Sequence, residues 1–474
     1  MIRRIIIAAL ALMCIVPYTA KADTTLSERI YILSSVWKEI SNNFAFPEKF
    51  KETNPDSLYR CYLTKVLNAE SEQEFSDLMT QFMAHFDEGH TRFNDSNIIR
   101  YRVPLILTWA GDKLLITNTT RQLKPLLPVG SEIKKVDGLT LDEYLQRHVY
   151  PYVSAPNMEW RKRKALDIFL TGKKGAEYHI EITTPKGKTI NTKLMTSIRN
   201  YDDTDDWSIR RDTAKCSIKK LPGNIMYMRM STFTLPGTIK STFENNLSDF
   251  LSAKGVIFDI RGNRGGTDES WHNIIRHIAD RNTNIFDGLK IMTRVANTAY
   301  EMYGKNVSQL ADYYNGVAMQ PVQEGWFVMK NNTPDSLRIT APVIILVDGF
   351  TASAAEDFAA TMKNLSLGKI VGTPTAGVIS SPKFCNWGHG YSSLIAECRF
   401  TNPDGSDIIN TGIQPDVCIE YTESDALGKT DSALTAALKM LKGKKIEQDI
   451  IPYQNKNHDY VRFAQSLYGI AKRT

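Results

Sequence analysis

The stretch Val343-Ile344-Ile345-Leu346-Val347 runs without a polar residue, and after a short turn, Asp348 to Ser353, the chain continues as "AAEDFAATMKN" with apolar residues at helical spacing. A strand with no polar face has to be covered on both sides, which an open antiparallel sheet does not do. The same alternation recurs from about Cys216 onward, in "IMYMRM", "FENNLSDFLSAKG", "VIFDI", "DESWHNIIRHIAD" and "KIVGT". Residues 201–445 are therefore expected to form a βα-layered α/β core around a largely parallel sheet.

Two differently patterned regions precede that core. From Thr25 to about Ile98 the pattern is helical: Ile30, Leu33, Val36, Trp37 and Ile40 share one face. A Ser71/Glu74 capping box opens a further helix carrying Phe75, Leu78, Met79, Phe82, Met83 and Phe86. From about Arg100 to Ile198 short strands and turns alternate, with a helix at "TLDEYLQRHV", so residues 23–98 and 99–200 are expected as separate helical and β-rich parts. Residues 446–474 read as a tail. At the other end, Arg3 and Arg4, an apolar run from Ile5 to Val16, and Ala20-Lys21-Ala22 form a secretory signal, with cleavage expected after Ala22 and no later membrane span.

Removing Arg3, Arg4 and Lys21 with that signal lowers the formal charge from +6 to +3. Charges of both signs are interspersed, which argues against nucleic-acid binding. Five cysteines would remain, Cys61, Cys216, Cys385, Cys398 and Cys418, so at least one is unpaired within the chain; Cys385 and Cys398 could pair across neighbouring strands. No CxxC or HExxH spacing occurs, and neither a metal nor a cofactor is expected.

Three stretches carry polar residues suited to chemistry. Ser353 can be read as an N-cap that accepts from the amide of Glu356, or as a nucleophile seated over a helix N-terminus, where free amides and the macrodipole favour developing negative charge. "GVIFDIRGNRGGTDES" puts Asp259, Arg261, Asn263, Gly265 and Gly266 after a strand, and its glycines let backbone amides approach a reacting carbonyl; the spacing is not that of a nucleotide loop. "HFDEGHTRF" ends a helix at a glycine stop and presents His90.

In this order, "DEGHT", "DIRGNRGG" and "TASAAEDF…GTPTAG…GIQPDV" resemble the C-terminal processing peptidases, the serine peptidases that include tail-specific proteases and the tricorn core. The resemblance implies a helical N-terminal part, a PDZ-like insertion around "GSEIKKVDGLTLDEY", and a ClpP/crotonase-like catalytic core. It assigns the nucleophile to Ser353 ahead of Glu356, and the oxyanion hole to the amide of Ala354 with that of Gly265 or Gly266; Glu356 and Thr375 have supporting places. The better-known branch has a lysine base where this chain has Val378, in "GTPTAGV", and Lys383 stands five residues further on. The tricorn-like branch has a histidine base, matched by His90. No glutamate precedes "PDV" to orient it, which leaves Asn410 or Asp407 for that part. Among the other histidines, His389 is the rival base; His85, His148, His179, His272, His277 and His458 read as structural or exposed. The expectation is a secreted, periplasmic serine endopeptidase acting on unfolded or C-terminal protein segments. A catalytically inactive peptidase-fold protein that binds peptides or other apolar ligands is the alternative, and an ester or lipid hydrolase with the same dyad a third reading.

Overall fold

The computed structural model describes residues 24–209, 212–294, 319–321 and 330–443. The signal segment, the tail beyond residue 443 and His458 lie outside the described residues.

The core sheet has the strand order Cys216–Leu221, Ile225–Met230, Gly255–Asp259, Val343–Val347, Lys369–Gly372, Val417–Cys418. Its first pair is antiparallel and the remaining pairs are parallel. Alternation along the central strand explains its unbroken apolar run. Val343, Ile345 and Val347 face the main core, shared with Phe258, Phe358 and Trp271, while Ile344 and Leu346 face a smaller one closed by Ala436 and Ala437 of the helix Ser432–Leu441. The helix Ala354–Asn364 is buried from Ala354 through Met362, as expected for a helix enclosed by the sheet and its covering layer. The expected "FENNLSDFLSA" helix is broken into Pro236–Glu244 and Leu247–Ser252.

At the N-terminus three helices, Leu26–Asn43, Pro55–Leu67 and Glu72–Ala84, bury their apolar stripes in the main core. The first begins with a full capping box, in which Thr25 and Glu28 exchange side-chain and backbone bonds. At Ser71 only half of the expected box forms. Ser71 accepts from the amide of Glu74, but the Glu74 carboxylate reaches the amide of Glu70 instead.

A second, antiparallel sheet is what carries the histidine segment into the core. Arg92–Asp95 pairs with Tyr391–Leu394 of the long strand Tyr391–Thr401, whose hairpin partner is Ser380–Gly388. The segment just after His90 and the strand that begins at Ser380 thus flank Tyr391–Thr401 on opposite edges. Cys385 lies opposite Ser393 and Cys398 opposite Ser381, so the two cysteines are not register partners, and no disulfide forms among the five described cysteines.

The middle region holds a six-stranded antiparallel sheet: Leu105–Ala110, Lys113–Thr119, Glu132–Val136, Glu177–Thr183 and Thr189–Met195 in order, with Leu139–Thr140 on the third of these. Its hydrophobic cluster takes in Ala352, Ala376 and Val378 from the core region.

Candidate active site

Ser353 does not cap its helix. It sits at φ 56°, ψ −133°, its side chain makes no capping bond, and the amide of Glu356 bonds the Ser353 carbonyl instead, at 2.6 Å. A non-glycine residue at positive φ is strained, and here the strain turns the hydroxyl away from the helix backbone. The conformation is locked from outside: the Ser353 amide donates to the Val378 carbonyl at 2.8 Å, and the amide of Ala352 donates to the Asn263 carbonyl at 3.0 Å. Gly349 is not at positive φ; a Cβ there would lie 2.5 Å from Arg163 Nε, so glycine serves close packing rather than turn geometry.

The glycine loop rests against this turn. Asp259, fully buried, accepts from Tyr227 Oη at 2.7 Å and from Arg261 Nη2 at 2.6 Å, and Arg261 reaches on to Asp431 at 2.7 Å. Burial pushes the Asp259 carboxyl up, but its bonds to Arg261 and the nearby Arg229 bring it below its ordinary value. Asn263 anchors the loop, donating to the Met230 carbonyl and accepting the Gly265 amide at 2.9 Å. A Cβ on Gly265 would lie 2.7 Å from Ser353 Cβ and 2.9 Å from the Ala354 nitrogen, and one on Gly266, at φ 146°, would lie 2.3 Å from the Phe233 carbonyl carbon. Glycine is therefore required at both positions. The Gly265 amide is already committed to Asn263. The amides of Gly266 and Ala354, by contrast, donate no hydrogen bond among the described residues.

Glu356 braces the loop that follows. Its buried carboxylate accepts from Thr375 Oγ1 at 2.5 Å and from the amides of Gly377 and Val378 at 2.8 Å each, while Thr375 Oγ1 accepts the Ile413 amide at 2.6 Å. Burial pushes this carboxyl up to about 7 against those hydrogen bonds, which favour the charged form.

His90 comes from the far side of the same loop. Asp87, at φ 48°, makes the left-handed turn expected of a glycine, whereas Gly89 is held to glycine by packing, since a Cβ on it would lie 2.5 Å from Val378 Cγ1. His90 Nδ1 lies 2.8 Å from Ser380 Oγ, and Ser380 Oγ donates to Glu88 Oε1 at 2.9 Å. Glu88 Oε2 accepts the amides of His90 and Thr91 and the Thr91 hydroxyl, at 3.0, 2.8 and 2.8 Å. Burial pushes Glu88 up, but its bonds to His90, Thr91 and Ser380 outweigh that and bring it down to about 2, so it is a carboxylate that only accepts. The Ser380 proton then points to Glu88, Nδ1 must carry the proton that Ser380 Oγ accepts, and Nε2 is left with its lone pair. This tautomer follows from the hydrogen-bond network.

Asn410 and Asp407 do not enter that network. The Asn410 carbonyl accepts from Asn157, and Asp407 bonds Arg399 at 2.8 Å and the Ile409 amide, so the polar groups at the His90 ring are Ser380 and Glu88. Glu88 was within reach of sequence reasoning, two residues before His90 in "DEGHT". Ser380 gave no sequence signal. Val378 supplies its backbone and a packing surface, while Lys383 pairs with Glu39 at 3.2 Å and Glu397 at 3.4 Å. His389 lies 2.9 Å from Glu28 at the N-terminal helix. Neither Ser353 Oγ nor His90 Nε2 makes a hydrogen bond among the described residues, and catalytic contacts of apo sites are commonly loose.

A half-buried serine on a strained strand-to-helix turn, with undonated amides at Ala354 and Gly266 and an imidazole held by Ser380, has the make-up of a serine-hydrolase site. Residues 224–419 match the family model described as Peptidase family S41. The chain is 26% identical over 251 residues to the carboxy-terminal processing protease CtpA of Bacillus subtilis (strain 168), covering 50% of this chain and 47% of that protein. It is 20% identical to the carboxyl-terminal-processing protease of Picosynechococcus sp. (strain ATCC 27264 / PCC 7002 / PR-6), covering 86% and 88%. The chain thus spans about half the length of CtpA and nearly all of the second relative. The crystal structure of mature CPAF shares the fold, with a TM-score of 0.68 at 14% identity over 88% of this chain and 97% of that one.

Proposed function

We propose that the protein is a serine endopeptidase that uses His90 as base and Ser353 as nucleophile. The observation that carries this is the Ser353 conformation: a strained φ and no capping bond, at a turn against which the Gly265-Gly266 loop packs, with the amides of Ala354 and Gly266 undonated among the described residues. In this reading His90 Nε2 takes the Ser353 proton as Oγ attacks the peptide carbonyl. The Ala354 and Gly266 amides hold the oxyanion, and the imidazolium returns its proton to the leaving amine. Water, activated by the same imidazole, then hydrolyses the acyl-enzyme. Glu88 and Ser380 keep the ring in the productive tautomer and stabilise its charged form.

The names of the relatives support a processing role on protein C-termini. The stretch "GSEIKKVDGLTLDEY" supports reading the middle sheet as a PDZ-like peptide-engaging part, and the signal-like first residues support the periplasm as the place of action. The test is cleavage of an unfolded protein by residues 23–474, read by mass spectrometry beside Ser353→Ala, with fluorophosphonate labelling of both. Cleavage and labelling that vanish in Ser353→Ala support the reading. Cleavage that persists in the mutant removes Ser353 as nucleophile, and a protein that binds peptides without cutting or labelling is the inactive peptidase-fold alternative.

A further inference from the structure

A cavity of about 320 Å³ opens one residue from His90, lined by Gly89, Arg92, Tyr152, Lys164 and Asp167 among others. Its charged lining is Arg92, Arg100 and Lys164 against Asp95 and Asp167; Arg100 pairs with Asp77 at 3.7 Å, and Asp95 accepts the Asn97 amide at 2.8 Å. Asp167 accepts from Lys164 Nζ at 2.6 Å and from Arg264 Nη1 at 2.9 and 3.0 Å. Asp167 also attracts Arg92, so three cations share one carboxylate; the other acid acting on Arg92, Glu88, is already committed to His90, Thr91 and Ser380. The Arg92 guanidinium is half-buried, and its one described hydrogen bond runs from Nε to Asn94 Oδ1 at 3.3 Å. Its two terminal nitrogens donate no hydrogen bond among the described residues, which leaves the bidentate edge of the fork open toward the cavity. Burial pushes both Arg92 and Lys164 below their ordinary values, as expected of cations short of water and of counter-charge. The cavity is tied to the glycine loop through Arg264, which precedes Gly265 and also stacks over Phe350 with its carbon 5.2 Å from the ring centre.

We infer that this cavity is a substrate subsite for a carboxylate close to the cleaved bond, with the open edge of Arg92 as its fork and Lys164 beside it. The inference rests on the peptidase reading of the adjoining site. An anionic group fits because it supplies an acceptor and counter-charge to the open edge of Arg92, whereas a neutral side chain would leave that half-buried guanidinium unrelieved. A glutamate or aspartate side chain and the free end of the peptide offer the same carboxylate, and the assay separates them.

The experiment uses one peptide sequence in three forms, with the varied residue scanned across the positions flanking the cleaved bond: Glu with an amidated end, Gln with an amidated end, and Gln with a free C-terminal carboxylate. Wild-type protein is expected to favour at least one acidic form by ~10-fold in kcat/KM, the scale of a single charge-assisted pair. Arg92→Gln should bring that ratio to within ~2-fold while the neutral peptide is still cut. Asp167→Asn should raise the ratio, because it removes the competing carboxylate; a folding defect would lower all three peptides together. Preference for the Glu form identifies a side-chain pocket, and preference for the free acid a chain-end pocket. Equal turnover of all forms, or a preference that survives Arg92→Gln, overturns the proposal. Fluorescence anisotropy with the same peptides on Ser353→Ala protein reads carboxylate preference without chemistry. A preference in Kd that disappears in the Arg92→Gln, Ser353→Ala double mutant upholds the subsite even if no peptide is cleaved, and equal Kd values overturn it even if peptides are.

Discussion

Replacing Glu88 by Gln should reverse the direction of a hydrogen-bond chain while keeping its shape. The carboxylate oxygen Oε2 faces three donors, the amides of His90 and Thr91 and the Thr91 hydroxyl, so the oxygen of a Gln amide is held on that side. Its NH₂ must then occupy the position of Oε1, 2.9 Å from Ser380 Oγ, and donate to it. Ser380 in turn gives its own proton to His90 Nδ1 across 2.8 Å, and the imidazole is forced to carry hydrogen on Nε2, where the base is needed. A wrong tautomer of this kind costs about 10⁴ in kcat in the serine-protease triad. A hydroxyl can rotate, so the expected loss here is at least ~10² in kcat, with KM nearly unchanged. Stability should fall by only about 1–2 kcal/mol, since all three donors keep an acceptor. Glu88→Ala, in contrast, strands those donors and should unfold at markedly lower temperature. The assay is steady-state turnover of a peptide cleaved by the wild type, with thermal melts of each variant. A Glu88→Gln enzyme within ~3-fold of wild type in kcat/KM, equally folded, would falsify the proposed chain from Glu88 through Ser380 to His90.

Two further outcomes follow from packing and from titration. Gly89→Ala should place a methyl 2.5 Å from Val378 Cγ1 and disturb the loop whose Val378 carbonyl holds the Ser353 amide, lowering Tm and kcat together. Val378→Ala should restore both in the double mutant, and additive losses in that cycle would show that the contact is not the cause. Glu356 has its folded pKa raised to about 7 from 4.5, so the folded state holds its proton more tightly than the unfolded chain does. Its contribution to stability is therefore full below the unfolded value and is lost as pH rises from about 4.5 through 7. Thr375→Val removes a hydrogen bond that favours the carboxylate, so the stability it costs should be larger at pH 8 than at pH 5; equal losses at both would show that Glu356 is not the group being served.

The parallel core was legible because its strands have no polar face, and the alternation of Val343, Ile345 and Val347 against Ile344 and Leu346 between two cores is what that run requires. The choice between Gly265 and Gly266 was not legible. It depends on Asn263 taking the Gly265 amide, a bond two residues long that the motif contains but does not announce. Analogy along the chain points to residues near "PDV" for the group orienting His90, whereas Ser380 reaches His90 from a strand that flanks Tyr391–Thr401 on the edge opposite Arg92–Asp95. A pairing 290 residues apart leaves no local pattern. Gly89 was read as a helix stop, and Asp87 makes that turn; the glycine answers instead to a side chain far along the chain.

Ala352, Ala376 and Val378, which flank the Ser353 turn, belong to the hydrophobic cluster of the middle sheet. The middle region is consequently a keystone for the catalytic turn, not a bead strung beside it. An exchange of this region with a relative's has to carry those three contact positions along, or the chimaera inherits a gap directly beneath Ser353. Any ligand that loosens or tightens the middle sheet acts mechanically on the strained residue, with no messenger in between.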